Sequence, residues 1–404
     1  MIACRVFKTA KRLGVRTVAI YTDKDLSSRH ILEADEAHKI RSEDGYLAQN
    51  EILDICASRG VESVHPGYGF LSENPDFAQK VEERNIRFLG PRASTIISFG
   101  LKDEARRVAS NAGVEVVPGS DTLQSLEHAS EEAERLGYPV LLKAVAGGGG
   151  IGMSRVNSKD QLRKTYDSVL RQSEAAFGNS DVYLEKFVQS PRHIEVQIFG
   201  DGKGNVVSLG ERECSIQRRY QKIIEESPSP FVNEDLREKL CGAAVRLGQS
   251  VSYRSAGTVE FLVDGVTQDF YFLEMNTRLQ VEHPISELTN DVDLVEWMLG
   301  RSPRELMSFE SKFPIGHAIE ARLYCEDPSN NFLPSPGRMD FVKWPSEKDA
   351  RVDTWIETGT IVTPNFGMFL LFERFFHYIS TTTNLFQSIR SDGCETHRTF
   401  RYEP

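Results

Sequence analysis

The first 95 residues alternate between apolar spacings typical of helices and spacings typical of strands. Residues 3–13 and 46–58 predict amphipathic helices, residues 17–21 predict a strand, and residues 63–65 predict a short strand that runs into HPGYGFLSEN. Such alternation indicates a parallel sheet with helices on its faces. We therefore predict an α/β unit at the start of the chain.

A glycine-rich run follows the next apolar strand. The strand YPVLLK ends in Lys143, where a charge needs a partner. Directly after it, AGGGGIGM contains Gly147, Gly148, Gly149 and Gly150, which would let several backbone N–H groups approach a polyphosphate. The run matches neither a Walker A loop nor GxGxxG, and a flexible linker is the alternative interpretation.

Further charged residues flank this run. Lys102 begins the predicted helix LKDEARRVASNAG, where a lone lysine is more often a surface residue than a ligand. YLEKF predicts a strand and hinge that carries Glu185 and Lys186.

A predicted hairpin, IEVQIFGDGKGNVVSLGE, is followed by the basic cluster Arg218, Arg219 and Lys222. Such clusters are usually solvated or form weak surface pairs. Arg322 lies on the predicted strand AIEARLYCE, where a structural ion pair is the alternative to a functional role.

Two further predicted strands carry oxygen ligands. Glu260 lies on TVEFLVD, and the next apolar strand ends in Glu274 and Asn276. Two carboxylates and an amide on adjacent strands form the kind of site that a hard cation such as Mg²⁺ prefers.

The polar residues that follow show strand-like alternation. If residues 278–282 are extended, Arg278, Gln280 and Glu282 lie on one face and point into one pocket. An antiparallel hairpin with a solvated polar face is the alternative.

Composition narrows the function. With 404 residues, 40% hydrophobic and 26% charged, the chain predicts two or three globular domains. A net charge of -11 argues against nucleic acid as a main partner.

Six scattered cysteines without metal-ligand spacing favour a reducing compartment: Cys4, Cys56, Cys214, Cys241, Cys325 and Cys394. No apolar run approaches the roughly 20 residues of a membrane span. We expect a cytoplasmic protein, with a targeting segment ahead of Met1 as an open alternative.

The run EMNTRLQVEHPISE resembles the signature of the biotin carboxylases, ATP-grasp enzymes that carboxylate biotin from bicarbonate and ATP. HPGYGFLSEN is similar to a segment of their Rossmann-like N-terminal domain. The resemblance implies a multidomain α/β and α+β fold: an N-terminal domain over 1–95, an ATP-grasp domain over 96–300 with its lid at about 112–184, and an incomplete C-terminal domain over 315–366.

The resemblance also implies functional residues. For ATP these are Lys102, Lys143, Gly147, Gly148, Gly149, Gly150, Glu185, Lys186, His193 and Gln217. The implied metal ligands are Glu260, Glu274 and Asn276. Bicarbonate is assigned to Lys222, Arg278, Gln280 and the Val281 amide. The implied catalytic residues are Glu282, Arg278, Lys222 and Arg322.

In the family mechanism, ATP and bicarbonate form carboxyphosphate with Mg²⁺ or Mn²⁺ bridging the phosphates. Glu282 would act as general base and Arg322 would stabilise the enolate of biotin. The resemblance implies a biotin carrier domain and a carboxyltransferase as partners, and a homodimer as one assembly.

The acceptor of the carboxyl group is a finer question. RVDTWIETGTIVTPNF and GGGGIGM resemble the urea carboxylase part of urea amidolyase. Tyr220 stands where acyl-CoA carboxylases usually have histidine. An acyl-CoA or pyruvate carboxylase is the alternative, and a carbamoyl phosphate synthetase domain is a weaker one.

The resemblance is incomplete at both ends. The family begins with one more strand than this chain, and we expect the sheet without it to expose apolar edges and fold poorly. Residues 367–404 resemble nothing in the family, and translation of a retained intron is our hypothesis for them. A catalytically inactive remnant is therefore an alternative of another class.

Overall fold

A computed structural model describes most of the chain. The described residues are 1–26, 28–145, 152–188, 190–219, 221–302, 306, 309, 313–346 and 348–362, with the backbone of 370–376. The glycines at 147–150, Tyr220 and almost all of the segment 367–404 therefore lie outside them. No helix in the described part of the chain has the length and apolar character needed to cross a bilayer.

The N-terminal region alternates helices and parallel strands, as the apolar spacing predicts. Its helices are α1 (Ile2–Arg12), α2 (Arg29–Glu33), α3 (Gln49–Ser58), α4 (Pro75–Glu83) and α5 (Ala93–Gly100). Its strands are β1 (Val18–Tyr21), β2 (Glu36–Lys39), β3 (Ser63–Val64) and β4 (Arg87–Phe88). β1 pairs with β2 and β3 with β4, both in parallel, as two separate two-stranded sheets within the described residues. The single parallel sheet that the alternation predicted is therefore divided.

The next region is a small three-stranded antiparallel sheet covered by helices. Its helices are α7 (Leu126–Leu136) and α8 (Lys159–Phe177), whereas the preceding α6 (Lys102–Asn111) packs Ala105 and Ala109 into the core of the large sheet described next. Its strands are β5 (Val140–Ala144), β6 (Met153–Val156) and β7 (Val182–Lys186), in the order β6-β5-β7. Apolar side chains of α7 and α8 pack on this sheet, for example Ala133 and Leu162.

An eight-stranded antiparallel sheet forms the centre of the molecule, in the order β12-β11-β8-β9-β10-β13-β19-β17. Its strands are β8 (Pro191–Asp201), β9 (Val206–Arg218), β10 (Gln221–Ser227), β11 (Arg254–Asp264), β12 (Phe270–Asn276), β13 (His317–Leu323), β17 (Arg351–Asp353) and β19 (Leu370–Phe376). Helix α9 (Glu234–Ser250) packs its apolar side on one face through Leu240, Ala244 and Leu247. That face is apolar, so the polar groups collect on the other.

The remaining elements are short. Helices α10 (His283–Asn290) and α11 (Leu294–Glu296) follow β12, and α11 runs into one π-helical turn at Trp297–Arg301. Beyond β13 lie β14 (Glu326–Asp327), β15 (Leu333–Pro334), β16 (Gly337–Arg338) and β18 (Ile361–Val362). The sequence assigned no element to residues 367–404, whereas the backbone of β19 pairs with β13 and β17.

Candidate active site

Three carboxylates stand side by side on the polar face of the large sheet. Glu260 on β11 is in register with Glu195 on β8 and with Glu274 on β12. Residues in register on adjacent strands point to the same face, and like charges placed so closely repel each other. This row therefore needs cations.

Lys222 supplies one of these cations. Its Nζ lies 2.5 Å from Glu195 Oε2, 2.9 Å from Glu260 Oε1 and 2.6 Å from Glu282 Oε1. Burial alone would lower the pKa of Lys222, but these carboxylates raise it well above its ordinary value. The ammonium is thus charged at neutral pH and links three strands with the turn that carries Glu282.

Arg212 supplies the second cation from beneath the row. The side chain is completely buried, and its Nε donates to Glu195 Oε1 at 2.5 Å. Its other nitrogens donate to Gln197, Ser286 and Thr258. Glu195 is therefore held by Arg212 through one oxygen and by Lys222 through the other.

The sequence analysis missed both Glu195 and Arg212. The period-two pattern of His193, Glu195 and Gln197 in RHIEVQIF could have found the first, because a central strand with alternating polar residues has a polar face inside the protein. No comparable pattern marks Arg212.

The predicted metal ligands lie together at the open edge of the row. Lys222 and His193 hold the pKa of Glu260 far below its usual range in spite of burial. Desolvation by the surrounding protein and the neighbouring Glu260 raise the pKa of Glu274, although this side chain is partly open to solvent. Asn276 donates from Nδ2 to Glu260 Oε1 at 2.9 Å. Two adjacent carboxylates, one reachable from outside, fit a hard divalent cation.

Another oxygen-rich group lies beside it. His193, Glu195 and Glu260 bring their ligand atoms within 4.8 Å of one another. Lys222 and Arg212 already neutralise Glu195. The pair Glu260 and Glu274 fits a metal ion better, because Glu274 is open to solvent and pairs with no cation in the described residues.

The predicted bicarbonate residues converge, although not in the predicted manner. Residues 277–280 form a loop and residues 281 and 282 a turn that leads into α10, so the extended segment predicted for 278–282 is wrong. Arg278 Nη1 nevertheless donates to Gln280 Oε1 at 3.1 Å, and Nη2 donates to Asn276 Oδ1 at 3.0 Å. The half-buried Val281 lies in the turn beside them.

Glu73, which the sequence analysis did not single out, orients Arg278. Its Oε2 accepts from Arg278 Nε at 2.9 Å, while its Oε1 accepts from the backbone N–H of Thr277 at 3.0 Å. Glu73 ends the short 3₁₀ turn Phe70–Glu73 of the N-terminal region. The N-terminal region thus fixes a guanidinium of the central site.

Glu282 lies between two cations. Its Oε1 accepts from Lys222, and its Oε2 accepts from Arg322 Nη2 at 2.9 Å. Burial would raise the pKa of Glu282, but Lys222, Arg322 and Arg212 hold it well below its usual range. A carboxylate that stays ionised can accept a proton from a substrate.

Arg322 also faces two carboxylates behind it. Its Nη2 lies 2.6 Å from Glu225 Oε1 on β10, and its Nε lies 3.9 Å from Glu320 Oε1 on its own strand. Glu225 and Glu320 are in register across β10 and β13, and both are fully buried. Burial, together with the nearby Glu282, raises the pKa of Glu225 to about 8 in spite of Arg322. The sequence analysis missed both residues.

Two predicted nucleotide residues, His193 on β8 and Gln217 on β9, lie beside the metal group on the large sheet. His193 Nε2 lies 2.8 Å from Glu260 Oε2, and Gln217 Nε2 lies 2.9 Å from His193 Nδ1. Burial lowers the pKa of His193, but the Glu260 carboxylate raises it above its ordinary value. These contacts join the predicted nucleotide and metal groups.

Three predicted nucleotide residues lie on the small sheet. Lys143 on β5 forms an ion pair with Glu185 on the neighbouring β7, which supplies the partner that its position demands. Lys186 is exposed, and its backbone N–H donates to Pro118 O at 2.8 Å.

Lys102 lies at the first position of α6 and is exposed. It is close enough to Glu274 to act on that carboxylate electrostatically.

Three family models match consecutive parts of the chain. They are the biotin carboxylase N-terminal domain at residues 1–96, the carbamoyl-phosphate synthase L chain ATP-binding domain at 102–301, and the biotin carboxylase C-terminal domain at 320–371. A biotin carboxylase of Halalkalibacterium halodurans is 47% identical over 90% of this chain and 81% of its own length.

Larger relatives match equally well. Urea amidolyase of Saccharomyces cerevisiae is 46% identical over 90% of this chain and 20% of its own length. The mouse mitochondrial methylcrotonoyl-CoA carboxylase subunit alpha is 45% identical over 90% of this chain and 52% of its own length. The chain spans only 31%, 20% and 20% of the first curated relatives that it matches.

Solved structures give the same result. The biotin carboxylase domain dimer of Hydrogenobacter thermophilus 2-oxoglutarate carboxylase, in complex with MgADP, ADP and bicarbonate, has a TM-score of 0.83 and 40% identity. The match covers 93% of this chain and 84% of that one. For the urea carboxylase of Kluyveromyces lactis, the TM-score is 0.71 and the identity 36%, over 92% of this chain and 27% of that one.

The fold and the site define an ATP-grasp ligase. The chain belongs to the biotin carboxylase family. The predicted family, the multidomain α/β and α+β fold and the ligase class are confirmed.

Proposed function

We propose that this chain carries out the ATP-dependent carboxylation of biotin by bicarbonate, as the first half-reaction of a urea carboxylase. The observation that supports this most directly is the position of Glu282 between Lys222 and Arg322. A base that stays ionised, with one cation on each side, suits a reaction in which an anion loses a proton and a second anion must then be stabilised.

Bicarbonate would lie beside Arg278. A planar guanidinium can donate two parallel N–H groups to a carboxylate-like anion. Glu73, Gln280 and Asn276 already orient this guanidinium. Lys222 and the backbone N–H of Val281 would complete the pocket, and Glu282 would remove the bicarbonate proton.

The nucleotide would occupy the cleft between the small sheet and the large one. Supporting residues are the predicted set Lys102, Lys143, Gly147, Gly148, Gly149, Gly150, Glu185, Lys186, His193 and Gln217. Glu260, Glu274 and Asn276 would hold Mg²⁺, or Mn²⁺, which neutralises phosphate charge when bound. The solved relative that contains MgADP and bicarbonate supports these ligands.

Biotin, attached to a carrier domain, would approach Arg322 of this chain. The Arg322 guanidinium would stabilise negative charge on the biotin ureido oxygen. We propose a biotin carrier domain and a carboxyltransferase as partners, because the matching relatives are much longer than this chain. The dimeric relative supports a homodimer, and the cytoplasm fits the free thiols of the described cysteines.

Urea is the proposed final acceptor because RVDTWIETGTIVTPNF and GGGGIGM resemble urea carboxylases. The similar identity to a methylcrotonoyl-CoA carboxylase subunit favours an acyl-CoA carboxylase as the second candidate.

The test is ADP release by the purified chain with MgATP, bicarbonate and free biotin. We expect release that requires both bicarbonate and biotin, and MgATP should raise the melting temperature. ADP release that biotin does not stimulate would overturn the proposal in favour of another ATP-grasp ligase. If MgATP neither binds nor stabilises the chain, the inactive remnant is the correct interpretation.

A further inference from the structure

Arg106 connects helix α6 to the strand that leads out of the small sheet. Its Nη1 donates to Glu185 Oε1 at 2.7 Å, and its Nη2 donates to the backbone carbonyl of Val117 at 2.8 Å. The side chain of Arg106 is 27% exposed and that of Glu185 only 7%. One guanidinium therefore holds a buried carboxylate and a backbone segment at the same time.

Glu185 divides its two oxygens between two cations. Oε1 accepts from Arg106, and Oε2 pairs with the ammonium of Lys143. The three side chains form a row that crosses from α6 to β7 and then to β5. Its net charge is +1, so the row as a whole attracts an anion.

The backbone segment beside this row is held tightly against β7. Segment 117–120 pairs with β7 through Lys186 N–H to Pro118 O at 2.8 Å and Ser120 N–H to Leu184 O at 2.9 Å. A Cβ added at Gly119 would lie 2.8 Å from the Leu184 carbonyl and 3.4 Å from Arg106 Nη2. Glycine is required there because the segment passes between β7 and the guanidinium.

Helix α6 also carries Lys102 at its start, four residues before Arg106. Residues four apart lie on the same side of a helix. Lys102 and Lys143, the two lysines proposed to contact phosphates, are thus linked through Arg106 and Glu185, although they belong to different elements.

We propose that Arg106 is a positioning residue of the nucleotide site, which fixes Glu185 and, through it, the ammonium of Lys143 relative to Lys102. This inference rests on the proposed function. Without Arg106, Glu185 would pair with Lys143 alone. The remaining pair would be neutral, and its carboxylate would compete with phosphate for the ammonium.

The experiment compares Arg106→Met with Arg107→Met in the full chain. Arg107 is 64% exposed and pairs with Glu104 on its own helix, so it is a matched control for charge and helix position. For both variants and the wild type we would measure the Kd of MgADP, the KM for ATP, kcat and the melting temperature without nucleotide.

We expect Arg106→Met to raise Kd and KM about tenfold, the size expected for one charge-assisted hydrogen bond. The value of kcat should stay within about twofold, and Arg107→Met should resemble the wild type. In a Glu185→Gln background, Arg106→Met should have a much smaller effect, because the two residues act as one unit. A purely structural arginine would lower the melting temperature and leave KM unchanged.

Equal Kd values for wild type and Arg106→Met would overturn the inference. If Arg106→Met does not fold, Arg106→Gln decides by the same criterion, since its amide can still donate to the Val117 carbonyl without the charge. A wild type that fails to bind MgADP would instead overturn the proposed function, so the two failures are distinguishable.

Discussion

The ammonium of Lys222 lies 2.6 Å from Glu282 Oε1, in direct contact with the proposed general base. Glu282 is 1% exposed, so water cannot replace this contact. The ion pair keeps the carboxylate ionised, and a bicarbonate ion bound by Lys222 would lie within reach of the same carboxylate. One lysine can thus maintain the base and place its substrate.

Replacing this base should abolish the chemistry and spare nucleotide binding. Glu282→Gln keeps the size of the side chain but cannot accept a proton, so kcat should fall by about 10²–10⁴. The Kd of MgADP should change by less than about threefold. Glu83→Gln, on the exposed side of α4, is the control. Wild-type rates in Glu282→Gln would exclude the assigned role.

The raised pKa of Glu225 predicts that stability falls as the pH rises from 5 to 8. A carboxyl whose pKa rises to about 8 on folding stabilises the folded state while it is protonated. That contribution is complete below its ordinary value of 4.5 and is lost as the pH rises through 8. The free energy of unfolding should therefore fall between pH 5 and pH 8, and Glu225→Gln should show a smaller decrease.

Urea denaturation at several pH values measures this effect. Exposed Glu357→Gln should keep the wild-type slope. Parallel curves for wild type and Glu225→Gln from pH 5 to pH 8 would show that folding does not raise the pKa of Glu225.

Removal of Mg²⁺ should reduce the stabilisation that a bound nucleotide gives to the folded chain. With MgADP at about 100 times its Kd, the folded state should gain about 2.7 kcal/mol. Addition of EDTA should remove most of this gain, because the exposed Glu274 beside Glu260 would lose its bridging cation. Glu274→Gln should reduce the difference between samples with and without Mg²⁺. An increase in melting temperature that EDTA leaves intact would contradict the metal assignment.

The first helix is attached to the central site by a buried ion pair. Arg5 Nη2 donates to Glu287 Oε1 at 2.8 Å, and Arg351 Nη1 donates to Glu287 Oε2 at 2.7 Å. Arg5→Met leaves a buried carboxylate with one cation fewer and should cost about 3 kcal/mol or more of stability. Arg12→Met, on the exposed side of the same helix, should cost far less. Thermal and urea denaturation of the two variants would measure the difference.

The pH dependence of this pair has the opposite sign to that of Glu225. Arg5 and Arg351 lower the pKa of Glu287 to about 2, although burial alone would raise it. Its contribution is therefore present above pH 4.5 and is lost as the pH falls towards 2. Between pH 5 and pH 3, Glu287→Gln should lose less stability than the wild type.

Much of the candidate site could be predicted because many of its residues lie close together in the sequence. The hairpin of β11 and β12 places Glu260 opposite Glu274, and the sequence predicts that these two residues lie on adjacent strands. The convergence of Arg278 and Gln280 was predicted from an extended segment that turned out to be a loop. The loop still brings Arg278 to Gln280 because Glu73, some 200 positions earlier, holds the Arg278 guanidinium in place.

The contacts that sequence reasoning missed join distant parts of the chain. Arg212 meets Ser286, and Arg106 meets Glu185, only after several strands have taken their register. The register shifts in the β8–β9 and β9–β10 pairs decide which side chain lies opposite which. A one-residue shift reverses the face of every side chain beyond it, so these partners cannot be read from periodicity.

The pairing of β10 with β13 limits how this enzyme can be divided. Ile224 is in register with Ala321 and Ser227 with Ala318, so the strand that carries Arg322 is hydrogen-bonded to the strand that carries Lys222. Two polypeptides separated by a break between these strands would each hold part of the proposed catalytic cluster. Coexpressed halves should therefore reassemble through this ladder, which makes the enzyme a natural candidate for a split-protein reporter. For the same reason, exchange of the C-terminal segment among relatives must preserve this ladder if the hybrid chain is to keep Arg322 beside Glu282.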